Sequence, residues 1–245
     1  MVDTLFIHAR WVGDVSIPDE ILDYVKKKGY GKLAYFASIQ FLDVEGVKNS
    51  FSVLPNVEIL TTKAKRTDDI GQILGCDSYH DSFSSDIIKE SDALLYVGDG
   101  NFHTHALLLS QGYSKLNKEI IIWDPVNKKM SLQTTADLGK TMSRIKGRIL
   151  KYLMADVIGI LVTIKSGQMQ LKSAELLKEK IEKKGKKAFL FIDNTFNFAH
   201  MEDYNFIDCW VNTACPRIGQ DDDLDKPILN IKEALDPEKF LELLS

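Results

Sequence analysis

Disulfide-forming cysteines, membrane-length apolar runs and a dominant charge are all missing from this chain, and each absence narrows what it does. Three cysteines in 245 residues are too few for a stapled secreted scaffold; they are expected as reduced thiols that serve as ligands, nucleophiles or core residues. No apolar run approaches the roughly 18 residues of a membrane span. The opening MVDTLFIHAR places Asp3 early and has too short an apolar stretch for a signal-peptide core, which predicts a cytoplasmic protein. With 31 Lys+Arg against 35 Asp+Glu, the net charge of −4 lays down no electrostatic footprint for nucleic acid, although KTMSRIKGRILKY (140–152) is locally basic. The 44% hydrophobic content is ample for a packed core.

Short β-branched runs alternate with helical patterns along the whole chain. LFIHA (5–9), KLAYFASI (32–39), VEILTT (57–62), ALLYVG (93–98) and EIIIWD (119–124) read as strands, and near-continuous apolar strands joined by crossovers predict parallel sheets covered on both faces. A first domain over 1–130 is expected to end there. A long helix over about 132–153 then leads into VIGILVTI (157–164), a charged helix over 169–185 closed by Gly185, and strands KAFLFID (187–193), CWVNTA (209–214) and PILNI (227–231), giving a second domain over 131–245. The fold class is α/β, two tandem parallel-sheet αβα domains. The halves look like variants of one unit, and in each a cysteine is expected to follow two strands after the opening one.

Those cysteines are Cys76, after Gly75, and Cys215, before Pro216. Proline holds Cys215 extended and removes a backbone donor, a natural way to end a strand and aim a thiolate, while Gly75 tolerates a sharp turn. Open α/β sheets bind ligands at the carboxyl ends of their strands. Two readings stand here: a shared metal site, or two thiols packed near strand ends, since cysteine is among the most buried residue types. Cys209 is predicted to be core; six extended residues at ~3.3 Å each separate it from Cys215 by roughly 20 Å. Cys76 and His80 could join Cys215 around zinc, but no fourth ligand presents itself.

The strand–loop–helix YVGDGNFHTHALLLS (96–110) carries Gly98, Asp99 and Gly100, either an ordinary turn or a loop that lets an anion approach a helix start. His103 and His105 point to different helix faces, so at most one enters a cleft. Arg217 could clamp a substrate carboxylate or sit on the surface. Asp221, Asp222 and Asp223 read as a surface turn, with room for one cleft carboxylate.

IGQILGCDSYH, ALLYVGDGNFHTHAL, ILVTIKSGQMQL and above all DCWVNTACPRIGQDD, followed by KPILNIKEAL, resemble in that order the second and third domains of the diphthamide-synthesis enzymes, the 2-(3-amino-3-carboxypropyl)histidine synthases. The resemblance implies three related α/β domains, each giving one cysteine to a [4Fe-4S] cluster, with Cys76 and Cys215 matching the second- and third-domain ligands. It further implies a radical transfer of a 3-amino-3-carboxypropyl group from S-adenosylmethionine to C2 of a histidine imidazole on translation elongation factor 2. On the same basis Gln40, Gly98, Asp99, Gly100, His103, Gly167, Gln168 and Arg217 are expected to line the S-adenosylmethionine pocket. The family's first domain has no counterpart here, so the third ligand is expected from a partner subunit or a second copy. The alternative is a non-catalytic, cluster-free scaffold or elongation-factor-binding subunit of the synthase. The three-domain architecture of quinolinate synthase is related, but VNTACPR argues against it.

Overall fold

The structure is a computed structural model that describes residues 7, 9–218 and 227–244. The expected strand over 5–9 falls largely outside these residues, as do Asp221, Asp222 and Asp223. The chain divides into two compact units, Met1–Gly139 and Lys140–Ser245.

The first unit runs α1 (Asp19–Lys28), β1 (Lys32–Ala37), α2 (Val44–Phe51), β2 (Glu58–Leu60), α3 (Ile87–Glu90), β3 (Ala93–Val97), α4 (Phe102–Tyr113), β4 (Ile120–Asp124) and β5 (Lys129–Gln133). The strand order is β2-β1-β3-β4-β5, with only β5 antiparallel. Strands β1 and β3 are apolar almost throughout because helices cover both faces; Leu33 through Ala37 and Ala93 through Val97 are all buried. Helix α1 opens with Asp19 and Glu20, closes with Lys26, Lys27 and Lys28, and stops at Gly29, whose φ of 71° is left-handed.

The second unit runs α5 (Gly139–Met154), β6 (Val157–Thr163), α6 (Leu171–Lys183), β7 (Lys187–Asp193), α7 (Phe198–Met201), β8 (Cys209–Asn212), β9 (Ile228–Asn230), α8 (Ile231–Leu235) and α9 (Pro237–Leu243). Its order, β7-β6-β8-β9, repeats the first four strands of the first unit's sheet, β2-β1-β3-β4, without a counterpart of β5, and is parallel throughout. Gly185, at φ 78°, ends α6 as expected. The repeat extends to a side-chain clasp. Asp92, just before β3, accepts from the N–H groups of Gly31 and Lys32 at the foot of β1 (2.7 and 2.8 Å). Asp208, just before β8, accepts from those of Asp156 and Val157 at the foot of β6 (3.1 and 2.8 Å). These backbone bonds to the charged form hold the Asp92 carboxyl below its usual range.

Two expectations are corrected. The long helix starts only at Gly139, because residues 129–133 pair back on β4 as the antiparallel strand β5. The Asp124 carboxylate closes that hairpin by accepting from the N–H groups of Val126 and Asn127 (2.9 and 3.0 Å), and Lys128 takes a left-handed φ of 50°. The cysteines also occupy different crossovers: Cys76 follows β2, the first strand after β1, whereas Cys215 follows β8, the second strand after β6. No helix among the described residues is long and apolar enough to cross a membrane.

Gly159 lies in the middle of β6 for reasons of space. A Cβ there would stand 2.4 Å from the ring of Trp210, which is fully buried on β8. Gly159→Ala is therefore expected to cost about 1–3 kcal/mol of stability, read as a lower urea midpoint at unchanged m-value; an unchanged midpoint contradicts this packing.

Candidate functional site

In each unit the central strand, β1 or β6, is followed by a crossover to one side and then one to the other. The chain therefore diverges at the carboxyl end of that strand and leaves a crevice between it and its second neighbour, β3 or β8. The candidate residues fall around these two crevices, and each is described within its own unit.

In the first unit the chain leaves β2 and returns beside the end of β1. The Ala37 N–H donates to the Gly71 carbonyl (2.8 Å) and the Ile73 N–H to the Ala37 carbonyl (3.0 Å), which sets the Cys76 loop over the carboxyl edge. Gly75 is buried against Phe102, the first residue of α4; a Cβ on it would stand 2.1 Å from the ring. It also lies in a turn, as expected, closed by the Asp77 N–H donating to the Leu74 carbonyl (3.0 Å). The contact brings the Cys76 loop and the Gly98–His103 loop together. Cys76 is half-buried. Next to it Asp77 is almost fully buried: burial pushes its carboxyl up to about 6, the Leu74 N–H donates to Oδ2 at 2.8 Å, and Oδ1 has no protein partner.

The second loop rests on Tyr96. Its hydroxyl lies 3.0 Å from Nδ1 of His103, and burial pushes the phenol well above its usual range. A Cβ on Gly98 would stand 2.3 Å from that hydroxyl oxygen, so Gly98 is small because Tyr96 passes beneath it. Gly100, with φ 61°, makes the turn. Asp99 and Gly100 are exposed, and His103 is half-buried. Gln40 sits in a 3-10 turn after β1 with its side chain exposed; its carbonyl accepts from the Trp11 N–H (2.8 Å).

In the second unit Asn212 organises the Cys215 loop. Its buried side chain donates from Nδ2 to the carbonyls of Cys215 (2.8 Å) and the Asn230 side chain (2.9 Å), and its Oδ1 accepts from the Ala214 N–H (2.9 Å). Asn230 in turn donates to the Pro216 carbonyl (3.1 Å), and the Thr213 hydroxyl donates to the Leu161 carbonyl of β6 (2.8 Å). A turn bond from Ile218 N–H to the Cys215 carbonyl (2.9 Å) completes the loop. Cys215 and Arg217 are half-buried. Gly167 and Gln168 lie exposed in the loop after β6, Gly167 at φ 75°.

Sequence reading missed Tyr96, Asn212 and Asn230. The available signal was the pairing of an asparagine in one strand with another at the end of the neighbouring strand. Cys209 is core as expected: it is fully buried on β8, where burial pushes its thiol up to about 12.

None of the three cysteines is joined in a disulfide. No group of three or more His, Cys, Asp or Glu side chains able to hold a metal occurs among the described residues. A mononuclear zinc site needs about four protein or water ligands on one ion. An iron–sulfur cluster carries its own sulfide and needs about one thiolate per iron, and a single half-buried thiol on a rigid loop fits that requirement. The class this defines is a tandem α/β protein presenting loop thiols at the carboxyl edges of its sheets.

Comparison with known proteins carries this further. A family model for diphthamide synthesis proteins matches residues 2–235, and the chain belongs to that family. The 2-(3-amino-3-carboxypropyl)histidine synthase of Pyrococcus horikoshii is 30% identical over 165 residues, covering 66% of this chain and 44% of that protein. Its namesake from Methanocaldococcus jannaschii is 25% identical over 248 residues, covering 98% and 61%. Subunit 1 of the Caenorhabditis elegans synthase is 26% identical over 205 residues, covering 82% and 49%. The crystal structure of Dph2 from Pyrococcus horikoshii with a 4Fe-4S cluster matches with a TM-score of 0.69 at 26% identity, covering 92% of this chain and 61% of that one. The chain thus spans about half the length of the curated relatives it matches.

Native thiol labelling at pH 8 is expected to modify Cys76 and Cys215 and to reach Cys209 only on unfolding, because its raised pKa keeps it protonated until far above that pH. Asn212→Leu is expected to cost about 1–3 kcal/mol for each buried group left unsatisfied and to speed Cys215 labelling. Rapid native labelling of Cys209 contradicts the assignment.

Proposed function

We infer that this chain works in the first step of diphthamide biosynthesis, as part of a synthase that transfers a 3-amino-3-carboxypropyl group from S-adenosylmethionine to C2 of a histidine imidazole on translation elongation factor 2. The observation that carries the reading is the contrast between thiols in a member of this family: Cys76 and Cys215 stand half-buried on carboxyl-edge loops, while Cys209 is sealed in a sheet. On this reading Cys76 and Cys215 are thiolate ligands of a [4Fe-4S] cluster. When bound and reduced by an external electron donor, that group would supply the single electron that cleavage of S-adenosylmethionine at its bond from sulfur to the γ-carbon requires.

The chain's own residues hold and orient. Asn212 and Asn230 fix the Cys215 loop through its carbonyls, so the thiolate is presented without rearrangement when iron is loaded. Gly75 lets the Cys76 loop lie against Phe102 at the start of α4. Gly98, whose N–H donates to the Trp123 carbonyl (2.9 Å), anchors the turn in which exposed Asp99 and Gly100 suit the carboxylate of the methionine moiety, and His103, held by Tyr96, adds a polar side chain at the same edge. Gln40, Gly167, Gln168 and Arg217 extend the pocket, Arg217 by a guanidinium suited to a carboxylate. A partner subunit or second copy supplies the remaining thiolate, and the reading puts the protein in the cytoplasm with its substrate.

Anaerobic reconstitution with iron and sulfide tests the ligand assignment. Wild type and Cys209→Ala are expected to bind equal iron, while Cys76→Ala and Cys215→Ala each lose most of it along with the visible absorption. Iron binding by wild type no greater than by the Cys76→Ala, Cys215→Ala double variant, with candidate partners present, contradicts it.

A further inference from the structure

Helix α5 carries Lys140, Arg144, Lys146, Arg148 and Lys151 and neither Asp nor Glu in its 16 residues, although the chain as a whole has a net charge of −4. The other long helix of the second unit, α6, mixes its signs: Lys178 pairs with Glu182 one turn on, and Glu175 and Glu179 stand among Lys172 and Lys180. Among the described residues no carboxylate pairs with Lys140, Lys146 or Lys151. Lys140, Arg144 and Arg148 follow one another a turn apart, and like charges at that spacing oppose a helix. What holds α5 is its buried side, Ile145, Ile149 and Tyr152.

The outward side adds a second feature. Ser143, Gly147, Leu150 and Met154 recur there at alternating four- and three-residue steps, the stripe along which one helix packs on another, knobs into holes. Leu150 is 46% exposed and Met154 83%, and a Cβ on Gly147 would meet nothing within 4 Å. The small residues let a second backbone come close, and the two large ones supply apolar side chains. Beside this stripe stand Arg144 and Lys151 on one flank and Lys146 on the other, with Lys140 at its amino-terminal end.

We propose that α5 is a docking helix, which takes one acidic amphipathic helix of a partner protein along the stripe from Ser143 to Met154. The flanking charges choose the occupant. A second copy of α5 would set basic flanks against basic flanks in either orientation, so the complement is a different helix with apolar residues in its own stripe and Asp or Glu beside them. The phosphates of RNA would engage the lysines but leave Leu150 and Met154 without a partner, and the helix's one aromatic residue, Tyr152, is buried and so withheld from stacking on bases. A lipid surface needs a broad apolar face; that face of α5 lies in the protein's own core, and the exposed band is only two large side chains wide.

Fluorescence anisotropy on the full, iron-free chain tests this separately from the cluster reading. The probe is a labelled synthetic helix of about three heptads with Leu in its stripe and Glu on both flanks, which keeps it from pairing with itself; the control peptide carries Lys in place of Glu. Wild type is expected to bind the Glu peptide at micromolar concentration and the Lys peptide at least about tenfold more weakly. The double variant Lys146→Glu, Lys151→Glu is expected to invert that preference, and Leu150→Ser, Met154→Ser to weaken the Glu peptide by about tenfold. Raising sodium chloride from about 0.05 M to about 0.5 M is expected to weaken it several-fold. Equal binding of the two peptides by wild type, or binding of neither, overturns the proposal without recourse to any variant. So does tighter binding of single-stranded RNA or phosphatidylserine vesicles that is lost in Lys146→Glu, Lys151→Glu yet indifferent to Leu150→Ser, Met154→Ser, since the face is then a general anion site.

Discussion

A central strand hydrogen-bonded on both sides by parallel neighbours is the constraint on which everything else here rests. Strand β1 pairs with β2 and β3, and β6 with β7 and β8, so the chain must cross over first one way and then the other. A crevice at the carboxyl end is the geometric consequence. Aspartate clasps at the opposite end, Asp92 and Asp208, hold the feet of the same central strands, so each unit is tied at its amino edge and left open at its carboxyl edge. Function is then a matter of which loops fill the opening.

The two units fill it differently. In the first, the connection after β2 folds back over the edge and delivers Cys76, while the loop after β3 supplies glycines and His103. In the second, the loop after β8 carries Cys215 and is pinned by asparagines in two adjacent strands. One scaffold therefore presents a thiol from two distinct crossovers. Thiol environment separates the roles: the loop cysteines are half-buried, and Cys209, a strand residue with its thiol pushed up to about 12, is chemically quiet.

Much of this was legible beforehand because apolar β-branched runs have a strong local signature. KAFLFID is a strand over the range read from it, and Gly185 closes α6 where a left-handed glycine is required. Strand β5 was not legible: KMSLQ is mostly exposed, offers little alternation, and is a strand only because the Asp124 turn returns it to β4. Gly75 and Gly98 read as turn residues from sequence, and Gly75 does sit in a turn, but the reason each must be small, an aromatic ring of Phe102 or Tyr96 in the space of a Cβ, is not local in pattern. Asn212 lay in view within VNTACPR, but its hold on Ala214, Cys215 and Asn230 depends on strand register, which no local pattern encodes.

The proposed iron ligands are Cys76 and Cys215, and not Cys209. Differential alkylation with peptide mapping, performed on the chain with its partner before and after anaerobic iron loading, reads this residue by residue. Cys76 and Cys215 are expected to become protected together as iron is taken up, with Cys209 unreactive throughout; equal labelling of Cys76 and Cys215 with and without bound iron contradicts the assignment.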